Sequence, residues 1–364
     1  MKKRVCTITH NTVPNYGAVL QAYALQRAIQ NVGCENEVLN YDEERVRRVY
    51  HYSLFSQRSL KEIIKHILYF KRYKKKIRVF SQFSNQYIKL SKRYTNKTIS
   101  EANQKYDLFI TGSDQVWSLP LHQGDTAYLL GFVDDNNKKG SYAASFGHED
   151  ISMIPKQYYD TYRELLSEFK YVNVREKDGV DLFEKFTNKK RVAAQVVDPT
   201  FLLETDEWTK IESEPQYDNY ILLYCVNRYE ELLDYAKQLS NATGKQIINI
   251  QDGGQILRGV INVDSVSVNT FIGLIHHADY VMTNSFHGMA FSIIFHKQFV
   301  FDYVHSKVNS NSRVTSLMET VRLENRELSK VNIEQSIDYS EVDILLSKQV
   351  EFSYTRLEEM LKGE

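Results

Sequence analysis

Cysteine is scarce in this sequence. Cys6, Cys34 and Cys225 make an odd count at spacings that fit neither a CxxC pair nor a zinc-ligand set. A disulfide scaffold is therefore not expected, a reducing compartment is favoured, and no metal centre is predicted. Proline is equally thin, five residues against 25 tyrosines, a bias that carries no functional reading by itself. Net charge is absent too: 46 Lys+Arg face 46 Asp+Glu. That balance argues against a uniformly basic nucleic-acid binder but leaves room for a local basic patch. No long apolar run occurs, so no membrane-spanning helix is expected. The basic start Met1–Arg4 is followed too soon by His10 and Asn11 for a signal-peptide core, and a cytoplasmic protein is the expectation.

What is present is ordinary globular material, 42% hydrophobic and 25% charged over 364 residues. That length suggests about two domains. Short apolar runs alternate with amphipathic stretches. Val5–Thr9, Glu37–Asn40, Asp107–Thr111, Gly140–Ser145, Tyr171–Val174 and Ala194–Val197 read as strands, with Gly17–Val32 and Leu60–Phe80 as helices. After the charged stretch Glu204–Asp218 a second set begins. Tyr220–Val226, Lys245–Ile250, Tyr280–Thr283 and Gln298–Tyr303 read as strands, with helices over Glu230–Asn241, Val268–His277, Met289–Phe295 and Ser340–Leu361. The alternation predicts parallel sheets covered on both faces. The expected architecture is α/β: two Rossmann-like domains over 1–203 and 219–335, an interdomain cleft, and a long C-terminal helix, 340–362, returning to the first domain. Ligands of such sheets bind where strands give way to helices at their carboxyl ends.

Six loops occupy such positions. His10 to Gly17, with Asn15 and Tyr16, offers free N–H groups to an anion, or is simply a capped turn with Gly17 allowing close backbone approach. Dinucleotide and P-loop motifs are missing. Gly112 to Trp117 carries Asp114, an acid, base or hydroxyl orienter, or else the centre of an Asx turn. Ser145 to His148 presents His148. Val174 to Asp178 presents Arg175, which could fork onto a carboxylate or phosphate or pair at the surface with Glu176 or Asp178. Asp198-Pro199-Thr200 sits similarly, but Pro199 suggests a rigid exit turn. Thr283 to Gly288 is the most informative: Asn284 and Ser285 suit a helix N-cap, and His287 falls in the first turn, where an anion is favoured. Asn309 to Arg313 reads as a polar loop in which Arg313 could clamp a ligand. Outside this set, Lys61 to Arg78 holds eight Lys/Arg against one Glu. It reads either as a solvated helix with an apolar core face or as a peripheral contact with an anionic membrane surface.

The strings THNTVPNYGAVLQAYALQ (Thr9–Gln26), TGSDQVW (Thr111–Trp117), YAASFG (Tyr142–Gly147), VREKDG (Val174–Gly179), VDPTFLL (Val197–Leu203) and ADYVMTNSFHGMAFSIIF (Ala278–Phe295) together resemble the polysaccharide pyruvyl transferase family. The resemblance implies a GT-B-like fold and transfer of pyruvate from phosphoenolpyruvate, as co-substrate without a further cofactor, onto a sugar of a cell-surface polysaccharide precursor. The product is a pyruvate ketal and free phosphate. By position, Arg175 resembles the family's donor-binding arginine and His287 the histidine of its Arg-Leu-His element. Here that element reads Ser285-Phe286-His287, so its arginine is missing, and Arg313 is the candidate replacement cation. On this reading His287 and Asp114 are the acid and base, with exchanged roles open. Arg175, Asn284, Ser285, Phe286, Arg313, Gly17 and Asn15 surround the donor. His10, Tyr16, Trp117 and His148 face a sugar acceptor, which a lipid could carry. Two other functions compete. One is a GT-B glycosyltransferase using a nucleotide sugar, with a pocket around Gln251 to Gly254. The other is a non-catalytic carbohydrate-binding protein.

Overall fold

The computed structural model describes residues 2–11, 13–42, 60–122, 124–147, 152, 154–226, 230–251, 256–304 and 311–364, with the backbone alone at 60–72, 120 and 121. The first sheet is formed by β1 (Arg4–Ile8), β2 (Glu35–Tyr41), β3 (Leu90–Tyr94), β4 (Leu108–Thr111) and β5 (Lys139–Ser141) in the order β3-β2-β1-β4-β5. A two-stranded pair, β6 (Asn173–Val174) and β7 (Ala194–Gln195), follows beside it, joined through the bridge of Ala144 to Val174. The second sheet repeats the same order with β8 (Tyr220–Tyr224), β9 (Gln246–Gln251), β10 (Ile261–Asp264), β11 (Tyr280–Thr283) and β12 (Gln298–Phe301), arranged β10-β9-β8-β11-β12. Every ladder between these strands is parallel. In each sheet the chain reverses direction of progress between the first strand and the fourth, and this places a switch-point crevice at their carboxyl ends.

The longer helices are α1 (Tyr16–Asn31), α2 (Leu60–Tyr87), α3 (Lys156–Ser167), α4 (Lys177–Phe186), α5 (Glu230–Thr243), α6 (Val268–His276), α7 (Phe286–Ile294), α8 (Ser312–Val321) and α9 (Tyr339–Lys362). Helix α1 is buried on nearly every side, which its small residues Gly17, Ala18, Ala22, Ala24 and Ala28 permit. Its two buried glutamines reach neighbouring segments: Gln21 Nε2 donates to Thr9 Oγ1 at 2.9 Å, while its Oε1 has no partner, and Gln26 Oε1 accepts from the Lys89 amide at 2.8 Å. Tyr16, in the first turn, stacks on Phe271 of α6 at 4.2 Å and donates its hydroxyl to the Val266 carbonyl at 2.9 Å. One apolar cluster therefore runs from α1 through Trp208 into the second sheet and the faces of α6 and α7. Helix α9 lies against the first half, where Leu357, Met360 and Leu361 join Val5, Leu25 and Ile110 in a core cluster.

Two strands were not anticipated. Both β3 and β10 are edge strands, and the burial of β10 runs exposed, half-buried, half-buried, exposed. An edge strand needs no apolar run to pair. Strand β5 is shorter than the predicted Gly140–Ser145, because Ala143 turns to φ 54°. Helix α3 was not anticipated, whereas α4 stands where a helix was expected to follow Arg175. The expected polar loop at 309–313 is in part helical, since Ser312 and Arg313 open α8, while residues 305–310 lie outside the described residues. Of the basic segment 61–78, the backbone is helical throughout, but side chains are described only from Tyr73 onward. Farther along the same helix Phe80 and Phe83 pack against Tyr16 and Tyr23, a core face.

Candidate active site

Five chain segments end at one crevice. Strand β4 delivers Ser113 and Asp114, β6 delivers Arg175 and Glu176, the segment after β7 delivers Asp198, β11 delivers His287 on the first turn of α7, and the first turn of α8 delivers Arg313. Asp198, which sequence reasoning set aside as part of an exit turn, is where they meet. Its Oδ2 accepts from Arg175 Nη1 at 2.8 Å and from Ser113 Oγ at 2.9 Å, and lies 3.7 Å from His287 Nε2. Its Oδ1 accepts from the Thr200 amide at 3.0 Å and the Thr200 hydroxyl at 2.9 Å. The side chain is wholly buried. Burial alone would raise its pKa, but the charges of His287 and Arg175 hold it far below the usual carboxylate range.

Arg175 is buried rather than at the surface, so the expected exposed pair with Glu176 or Asp178 is not what the fold builds. Its guanidinium lies over the Phe286 ring, 4.8 Å from the centroid, and its Nε is 3.9 Å from Glu176 Oε2. Glu176 is buried as well, and its Oε1 accepts from Ser145 Oγ at 2.8 Å and the Phe146 amide at 3.1 Å. Burial raises its pKa more than Arg175 and Arg313 lower it. Arg313 is pushed down to about 10, by burial first and by the like charge of Arg175 second. Several polar atoms here are buried without a hydrogen-bond partner: Arg175 Nε and Nη2, Arg313 Nε, His287 Nε2 and Glu176 Oε2. Buried donors left unsatisfied are costly, so a crevice that gathers several on two guanidiniums and an imidazole is suited to an anion. Arg175, Asp198, Phe286 and Arg313 also line an opening of about 400 Å³, part of it open to solvent, that extends past Gln195 and Ser316 to Gln349 of α9.

Asp114 adopts φ 78°, a left-handed conformation that a non-glycine residue holds only at a cost. Its Oδ1 accepts from the Gln115 amide at 2.8 Å, and its backbone bridges to Ala144. Desolvation raises its pKa, and His10, Arg175, His287 and Arg313 together bring it below the ordinary value. The same interactions bring five of the predicted site residues to one place. Gly17 completes the crevice wall: a Cβ built there would fall 1.9 Å from His287 Nδ1.

Other predicted residues serve the fold. Trp117, expected to face an acceptor, is fully buried, stacked on Phe183 and bonded through Nε1 to the Tyr128 carbonyl at 3.2 Å. Tyr16 is likewise an interior contact to α6 and not an acceptor platform. Asn284 turns its Oδ1 to the Val226 amide at 2.6 Å, which fixes β8 to β11 rather than a ligand. Ser285 and Asn15 are N-caps of α7 and α1, accepting from the Gly288 and Ala18 amides. His10 stacks on Tyr128 at the rim of the crevice. His148 and residues 252–254 of the competing nucleotide pocket lie outside the described residues. Asp198 and Glu176 are the two residues that sequence reasoning passed over. The local signal was an acidic side chain two or three residues past a two-residue strand.

Comparison with known proteins agrees with this architecture. The model of the family "Polysaccharide pyruvyl transferase" matches residues 15–303. The chain belongs to the polysaccharide pyruvyl transferase family. No curated protein matches it significantly. Among solved structures, the chain is similar to the UDP-GlcNAc 2-epimerase of Methanocaldococcus jannaschii in complex with UDP-GlcNAc and UDP, at 13% identity, TM-score 0.52, with 95% of this chain and 93% of that one covered. The UDP-N-acetylglucosamine 2-epimerase of Rickettsia bellii matches at 10% identity and TM-score 0.51 over 99% of this chain and 98% of that one. An alpha-glucosyltransferase in complex with UDP and a 13-mer DNA matches at 7% identity and TM-score 0.50 over 99% and 95%. At these identities the likeness is one of fold, a two-domain GT-B-like arrangement.

Proposed function

We propose that the protein transfers pyruvate from phosphoenolpyruvate to two hydroxyls of a sugar in a cell-surface polysaccharide precursor, forming a ketal and releasing phosphate. The observation that carries the reading is the convergence of Arg175 and His287, from different sheets, on one Asp198 oxygen beside Arg313. A small ligand bearing a phosphate and a carboxylate needs guanidinium forks and little else, and the partnerless N–H groups of Arg175 and Arg313 supply them. The missing arginine of the Arg-Leu-His element is answered by Arg313 entering from α8.

In the chemistry this reading requires, the donor methylene gains a proton and becomes the ketal methyl group. Two acceptor hydroxyls add at C2 and lose their protons, the C2–O bond to phosphate breaks, and one phosphate leaves. His287 is the acid near the donor: Gly17 walls its Nδ1 side, and its Nε2, 3.7 Å from Asp198 and without a hydrogen-bond partner, is the nitrogen that gives the proton. Asp114, ionised and held at the end of β4, is the group for the hydroxyl protons. His287→Ala should lose about 10²-fold or more in turnover, the scale of acid–base catalysis. A nearly unchanged rate removes His287 from the mechanism.

The GT-B neighbours supply a second reading, because two are UDP-N-acetylglucosamine 2-epimerases and the third is a glucosyltransferase in complex with UDP. Thermal-shift titration separates the two. Phosphoenolpyruvate should raise the melting temperature, whereas stabilisation by UDP alone would favour a nucleotide-sugar enzyme. Mass spectrometry of a candidate lipid-linked sugar after incubation with phosphoenolpyruvate should show the acceptor plus pyruvate less one water. Intact phosphoenolpyruvate with every acceptor offered would favour a non-catalytic carbohydrate-binding protein. Peripheral docking through 61–78 belongs to the same proposal, as a way to bring the site to such an acceptor.

A further inference from the structure

At the amino ends of the second sheet's strands, away from the crevice, the carboxyl end of α6 places two consecutive histidines just before the start of β11. Facing them is Glu212, from the stretch that joins the two sheets. His276 Nδ1 lies 2.8 Å from Glu212 Oε2, His277 Nε2 lies 3.5 Å from Glu212 Oε1, and the three donor atoms are within 4.8 Å of one another. We infer that Glu212, His276 and His277 form a binding site for a divalent cation of the zinc class, with the fourth position left to water.

The donor set, two imidazole nitrogens and a carboxylate oxygen, suits a borderline cation such as zinc rather than calcium or magnesium, which take oxygen. A tetrahedral zinc ion sits about 2.0–2.1 Å from each ligand, which sets those ligands roughly 3.4 Å apart. The His276 and His277 nitrogens lie 2.8 Å and 3.5 Å from the two different Glu212 oxygens, so a small turn of the carboxylate brings one oxygen to that distance from both rings.

The ligands are also held in place. The Ser213 amide donates to the Asn269 carbonyl at 3.0 Å, and Asn269 Nδ2 donates to the Ile211 carbonyl at 2.5 Å, so the residues on both sides of Glu212 are tied to α6. The segment lies so close that a Cβ on Gly273 would come 2.1 Å from the Ser213 carbonyl oxygen. The His276 ring stacks on Phe295 at 4.5 Å, which fixes its plane. The position, at a helix carboxyl end, favours a cation. Lys297 lies within electrostatic range of Glu212, and Asp279 offsets it. A bound ion would clip the connecting stretch to the second sheet.

The test is calorimetric titration of the full chain with zinc chloride, paralleled by cobalt(II) chloride followed by visible absorption. One equivalent should bind, with a cobalt spectrum of tetrahedral intensity. Affinity should fall more than tenfold in Glu212→Gln and in the double variant His276→Ala/His277→Ala. Glu212→Gln keeps the side-chain shape, so it decides the matter if the double variant does not fold. Absence of stoichiometric binding, or binding unchanged in Glu212→Gln, would overturn the site and leave an ordinary His276–Glu212 ion pair.

Discussion

Asp198 accepts from Ser113 and Arg175 on one oxygen and from Thr200 on the other, with no exposed surface. Its charge holds together groups from both halves of the chain. Replacement by asparagine leaves Arg175 buried without its counter-charge, and breaking one side of a buried pair costs about 3–5 kcal/mol. Asp198→Asn should therefore lower the denaturant midpoint and also weaken donor binding, since Arg175 loses its orientation. The pH dependence has a definite sign. A carboxylate whose pKa is depressed by folding contributes stability above its unfolded value of about 3.9 and loses it as pH falls through the folded value. The stability gap between wild type and Asp198→Asn should thus be flat through neutral pH and close only in strong acid. A gap that closes already in neutral solution would mean that the Asp198 carboxylate does not control it. Sequence spacing exposed Arg175 and His287 because both stand at strand ends. It could not expose Asp198 or Glu176, because an acid beside Pro199 or Arg175 reads as a surface group until the tertiary fold buries it. The reverse error at Trp117 and Tyr16 has the same origin: an aromatic near a loop looks available until its ring is seen to face the core.

At the scale of elements, the crevice depends on how closely α1 and α7 approach. Both start at strand ends with side-chain caps, Asn15 and Ser285, and their first turns meet where Gly17 touches His287. Gly17 has no left-handed φ among the glycines of this chain, so alanine there would carry no backbone penalty, and in a helix it gains roughly 0.5–1 kcal/mol over glycine. The cost is steric and local: its methyl would occupy the space of the imidazole. Gly17→Ala should keep a native far-ultraviolet spectrum, while turnover falls by about 10²-fold, the scale of a misplacement near 1 Å. Unchanged turnover would show that the His287 ring can move without consequence. Helices α1, α2, α5, α6, α7 and α9 and the central strands were legible because apolar residues recur along them at the period of the element. Strands β3 and β10, at sheet edges, and α8, whose first turn is Ser-Arg, were not, because pairing and packing with neighbours rather than local composition define them.

For the whole molecule, the question is whether two sheets of identical strand order behave as one body. The apolar cluster answers in the structure itself: Tyr16, Val19, Tyr23 and Val38 of the first half share it with Tyr220, Phe271, Met289 and Phe291 of the second, and Trp208 of the connecting stretch sits between, 5.7 Å from Tyr23 and 4.9 Å from Phe291. Because cutting between the halves would expose that shared surface to water, independent unfolding of either is disfavoured. Scanning calorimetry should accordingly give a single endotherm whose calorimetric and van't Hoff enthalpies agree, an outcome that many chains of two domains do not show. Phosphoenolpyruvate should move that one transition as a unit, since its proposed ligands Arg175 and His287 come from different halves. At a hundredfold excess over the dissociation constant the stabilisation is about 2.7 kcal/mol. Two endotherms, with the donor shifting only one of them, would show that the shared core does not couple the halves. The donor would then rest on one sheet, and the convergence on Asp198 would be a contact of the ligand-free state alone.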